Sequence, residues 1–134
     1  MTNNEKKSFP AYIRRLSSDL VDNLYANILR EVVVKERFLE PDMTATKLAQ
    51  ELKTDSRYIS AVMMLRFNNS FNGMLNRHRV EKAIYMMRSG KYDESTCEMI
   101  GLRVGFNSRQ SFYSAFNKIM GMTPMQFRDS MKNK

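Results

Sequence analysis

The sequence predicts an all-α chain of about seven helices, arranged as two similar units on either side of a long helix. Three observations predict it. Apolar residues recur in three- and four-residue steps along the chain and show no strand-like alternation. The second half repeats the first: Leu48-Ala49 slides onto Ile100-Gly101 with an offset of 52, and Asn68-Asn69-Ser70 onto Gly121-Met122-Thr123 with an offset of 53. The two copies therefore differ by one residue inserted near the turn. Finally, the periodic stretches are bracketed by residues that start and stop helices.

Residues 1–19 form an N-terminal extension, mostly polar apart from Phe9, Tyr12 and Ile13, and are expected to be partly disordered or a loose helix. The first full helix is predicted from about Asp19 to Phe38, with Leu20, Leu24, Ile28 and Val32 inward, and Pro41 stops it. Thr44 caps a short helix to about Leu52 that buries Leu48, Ala49 and Leu52. Asp55 or Ser56 caps the next, to Phe67, burying Ile59, Val62 and Met63. A short helix, a tight turn and a second short helix make a helix-turn-helix candidate over residues 20–69.

Ser70 opens the longest late helix, residues 70–89, with Phe71, Met74, Leu75, Val80, Ala83, Ile84 and Met87 inward, and Gly90 ends it. Within residues 90–134, Ser95 or Thr96 starts a short helix through Cys97, Ile100 and Val104. Gly105 supplies a turn, and Asn107 or Ser108 caps the helix that follows. Phe112, Ala115, Phe116 and Ile119 give that helix a buried face, while Arg109, Gln110, Ser111, Ser114, Asn117 and Lys118 give it an outer face without an acid. Gly121 ends it, and Thr123-Pro124 opens another, threonine as N-cap and proline at the first helical position.

Composition narrows the partners. The 22 Lys and Arg exceed the 14 Asp and Glu, leaving a net charge of +8. Residues 1–53 carry 9 basic and 8 acidic groups, whereas residues 54–134 carry 13 and 6. A basic excess gathered in one part of a small chain attracts phosphate backbones, as it would an anionic membrane or an acidic protein. The one cysteine, Cys97, allows no internal disulfide, so a reducing cytoplasm fits. No apolar run approaches the ~20 residues that span a bilayer, so no membrane partner is expected. His78 and Cys97 are the only residues of their kinds, which argues against a metal site or a cofactor, and Cys97 at an inward position reads as core rather than as a nucleophile. Tyr58, Phe112 and Phe116 read as packing residues.

The stretch Gly105-Phe106-Asn107-Ser108 through Gly121-Met122-Thr123-Pro124-Met125-Gln126-Phe127-Arg128 resembles the signature of the AraC/XylS family of bacterial transcription regulators, and the likeness extends from about Leu20 to the C-terminus. The resemblance implies two helix-turn-helix subdomains joined by a linker helix, binding double-stranded DNA without enzymatic activity. It places Arg57, Ser60, Ala61 and Met64 of the first unit, and Arg109, Gln110, Ser111 and Ser114 of the second, on the faces that enter the major groove. Arginine pairs with guanine and glutamine with adenine. Phosphate contacts are expected from Thr44, Ser56, Asn107, Ser108, Arg77, Arg79 and Arg128, with a rival structural role for Arg128. The isolated chain is expected to act as a monomer. An alternative is a helical adaptor that contacts RNA polymerase or another regulator and touches DNA weakly. The family usually adds a sensing domain, which residues 1–19 are too few to form. Three positions depart from the pattern: Lys53 and Asn68 stand where relatives often have glycine, and Gly101 where they usually have alanine.

Overall fold

The computed structural model describes residues 10–132, so residues 1–9 of the extension lie outside the described residues. The described chain is helical, with no strand among those residues. In chain order its α-helices are α1 (Ala11–Arg14), α2 (Ser18–Leu29), α3 (Ala45–Glu51), α4 (Ser56–Arg66), α5 (Phe71–Arg88), α6 (Cys97–Arg103), α7 (Arg109–Met120) and α8 (Pro124–Lys132). The first is a single turn, which leaves seven full helices. Among the described residues, packing groups 10–37 and 43–74 into one unit and 38–42 and 75–132 into another, so the division falls inside α5.

The duplication can be followed through the backbone. Thr44 caps α3 by accepting a hydrogen bond from Lys47 N, and Thr96, 52 residues later, caps α6 through Met99 N. Lys53 (φ 57°) and Gly105 (φ 111°) keep that offset as the left-handed residues that turn the chain. The next N-caps, Asp55 and Ser108, are 53 apart, as are the left-handed Asn68 (φ 60°) and Gly121 (φ 73°). The extra residue therefore lies between the left-handed turn and the cap of the following helix. Lys53 holds a conformation that costs a residue with a Cβ ~1–2 kcal/mol.

In the first unit, Val21, Ile28 and Val32 of the α2 region are buried, as are Leu48, Ile59, Val62 and Met63. Leu20 is 58% exposed, contrary to the expected stripe. The physical reason is angular: steps of four residues advance about 40° each on a helix, so Leu20 and Val32 stand about 120° apart. Val21 and Ile28, seven residues apart, differ by only about 20°. α2 also ends earlier than Phe38. It passes into a π-helical turn at Arg30–Val34, Glu36 is left-handed (φ 54°), and Phe38 sits in a 3₁₀ turn, Arg37–Leu39. Ile13, in the single turn α1, is buried.

The second unit is built on aromatic rings. Phe106 and Phe112 lie 5.2 Å apart between centroids, while Phe112–Phe116 and Phe116–Phe127 meet edge-on at 5.8 and 5.7 Å. Val80, Ala83, Met87, Cys97, Ile100 and Val104 complete this core. Burial pushes the Cys97 thiol up, which disfavours a thiolate. Gly101 has a packing reason: a Cβ there would lie 2.5 Å from Cδ2 of Phe112, so the ring occupies the space an alanine methyl would need. Ile119 is 42% exposed rather than inward, and Met120 closes that end of the core.

Candidate nucleic-acid interface

α7 is held rigidly at its N-terminus. Ser108 Oγ accepts from Ser111 N (3.1 Å), and Ser111 Oγ accepts from Ser108 N (3.3 Å), a reciprocal capping box. Gly121 stops the helix, and Thr123 and Gln126 form a second capping box at the start of α8 through bonds of 3.1 and 2.9 Å. Phe112 and Phe116 are fully buried on one face. The opposite face leaves Arg109, Gln110, Ser114, Asn117 and Lys118 exposed, with no acid in the helix.

Arg109 is oriented by two neighbours. Its Nε lies 2.9 Å from Oε1 of Glu98, on the first turn of α6, and its guanidinium carbon lies 4.4 Å from the centroid of the Tyr113 ring. Arg57, near the start of α4, donates Nε and Nη2 to Asp55 at 3.1 and 3.0 Å. Hydrogen bonding to Arg57 holds the Asp55 carboxyl below its usual range.

Several expected contact residues have other roles. Ala61 is 5% exposed, and Pro10 and Ile13 line one groove with it and with Ser56, Arg57, Ser60 and Met64. In this conformation the Ala61 methyl, expected at a base, is part of the packing. Arg79, expected at a phosphate, is 7% exposed and donates Nε to the Phe38 carbonyl and Nη2 to the Glu40 carbonyl (2.6 and 2.8 Å). Burial lowers its pKa from the ordinary arginine value. Sequence reasoning missed this tie because its partners are some 40 residues away and are main-chain carbonyls, which carry no side-chain signal. Arg128 Nη1 and Nη2 donate to the carbonyls of Ser95 and Tyr92. Ser111 and Ser108 spend their hydroxyls on the cap, and Asn107 donates to the Pro41 carbonyl (3.2 Å).

Ser56, Ser60, Met64, Gln110 and Ser114 remain at least partly accessible, as do Thr44 at its cap and Arg77, whose Nε lies 3.3 Å from Glu81. Among the described residues no helix is long and apolar enough to cross a membrane, and no group of three His, Cys, Asp or Glu is placed to hold a metal.

A family model described as a helix-turn-helix domain matches residues 48–130, more than half of the chain, from within α3 to near the end of α8. The chain belongs to the AraC/XylS family. Two solved relatives are C-terminal domains of response regulators. AraT from Geobacillus stearothermophilus is 28% identical with a TM-score of 0.67, covering 87% of this chain and 88% of that one. The two-component response regulator yesN from Fusobacterium nucleatum is 27% identical with a TM-score of 0.66, covering 78% and 98%. A Listeria innocua protein of unknown function, 24% identical with a TM-score of 0.68 and covering 78% and 94%, shares the fold. No curated protein matches the sequence significantly. As an AraC/XylS module, the chain is a DNA-binding transcription-regulator domain.

Proposed function

We propose that the chain recognises specific duplex DNA by seating α7 in the major groove, with Arg109 and Gln110 reading base edges and α4 addressing a second groove segment. The observation that carries this reading is the acid-free outer face of α7, kept rigid by the cap at Ser108 and the buried rings of Phe112 and Phe116. Arg109, Gln110 and Ser114 stand on one exposed surface near the helix start, the part of a recognition helix that reaches base edges. The first unit is less well equipped. Its candidates reduce to Arg57, Ser60 and Met64, with Ser56 and Thr44 at the backbone, because Ala61 is covered.

That covered face favours a second reading for the first unit alone, as a positioning or protein-contact element, with RNA polymerase as the partner in mind. The test is to select binding sites from random duplex DNA and measure the Arg109→Ala and Gln110→Ala variants on the preferred site. Each is expected to lose ~1–3 kcal/mol and to relax preference at one or two base pairs. Equal loss on all sequences would assign both side chains to phosphate instead.

A further inference from the structure

We infer that Glu98, which lies outside the recognition helix, is a specificity-determining positioning residue that holds Arg109 in its base-reading orientation. The inference rests on the proposed base reading by Arg109. Glu98 is the second residue of α6, and Arg109 is the first residue of α7. The turn through Gly105 brings the two side chains together, with Nε of Arg109 2.9 Å from Oε1 of Glu98. Tyr113, one helical turn beyond Arg109, lies under the guanidinium at 4.4 Å. The arginine thus has a carboxylate at one edge and an aromatic ring on one face.

With the Glu98 carboxylate beside the Nε edge, the two Nη groups are left as the end-on fork that suits the O6 and N7 acceptors of guanine. Both members of the pair are more than half exposed, so the bridge itself adds little to folding stability. Its consequence lies in binding. A free arginine loses several rotatable bonds when it docks on a base, whereas one already held loses fewer, so the contact discriminates more strongly. A carboxylate next to a DNA-binding surface also repels phosphates, and this lowers affinity for every sequence alike. Glu98 thus trades general affinity for discrimination.

The two effects separate in two variants, Glu98→Ala and Glu98→Gln. Both remove the negative charge, so both should bind unrelated duplex DNA more tightly at low salt. Glutamine keeps a carbonyl oxygen of the same reach beside the Nε edge, and should retain more of the base preference than alanine. Alanine keeps no acceptor and should lower the preference for the selected base pair over its substitutes by about two- to tenfold. The decisive comparison adds Arg109→Ala to each variant and measures the affinities of all four base pairs at that position by competition.

In the Arg109→Ala background, removing Glu98 should leave the remaining preference unchanged. Glu98→Ala that shifts all four affinities equally would overturn the inference and leave Glu98 as a surface charge. A preference change that persists without Arg109 would overturn it as well. Arg109→Ala with no effect on base preference would instead defeat the reading of Arg109 on which the inference stands.

Discussion

Gly105→Ala will remove about 2–5 kcal/mol of folding stability, a large share of the ~5–15 kcal/mol typical of a native protein. Two effects add. Gly105 has φ 111°, a region costly for any residue with a Cβ, for which ~1–2 kcal/mol is a lower bound. A Cβ at this position would also lie 2.7 Å from Nε of Arg79 and from the Phe38 carbonyl oxygen, and 3.0 Å from the Leu39 oxygen. None of these can yield easily, because Arg79 is buried between the carbonyls it serves. Overpacking of this kind costs a further ~1–3 kcal/mol. Gly121→Ala is the control: its φ is 73° but nothing lies within 4 Å of the added atom, so only the conformational cost of ~1–2 kcal/mol applies. Urea denaturation of both variants measures the difference, and equal losses would remove the packing part of the explanation.

DNA affinity will fall roughly 100- to 1,000-fold between ~50 and ~200 mM salt, the response expected when about four to six phosphates are neutralised. The charge distribution motivates this, since 13 of the 22 basic residues and only 6 of the 14 acids follow position 53. Arg79 and Arg128 do not add to the count of phosphate contacts, because main-chain carbonyls hold them. Arg77 and Lys118, together with the helix starts at Thr44, Ser56 and Ser108, are the groups from which it is drawn. Titrations at several salt concentrations give the slope, and a flat response would exclude phosphate contact as the main source of affinity.

Local chemistry was the legible part of the sequence. Gly105, Gly121, the Ser108 cap and the Thr123-Pro124 start are short-range signals, and each occupies its expected place because a few neighbouring backbone groups decide the outcome. The repeat was legible for the same reason, its caps and left-handed residues keeping their spacing. Contacts between distant segments were not. Nothing near Arg79 indicates that its partners are the Phe38 and Glu40 carbonyls, and nothing near Ala61 indicates that Ile13 shares its groove. The register of α2 was misjudged at Leu20 because a run of four-residue steps drifts around a helix, and the π-turn at Arg30–Val34 has no distinctive residue to announce it. The pairing of Arg109 with Glu98 was likewise invisible, since it depends on how the turn brings two helices together rather than on spacing along one.

Methylation interference at guanine N7 on a selected duplex tests groove reading directly, because N7 lies in the major groove and is an acceptor for an arginine fork. The expected result is interference at guanines in two groove segments of one site, with the signal at one segment lost in the Arg109→Ala variant. Binding that is blocked by ethylated phosphates but unaffected by methylation at any guanine N7 would contradict major-groove reading by α7.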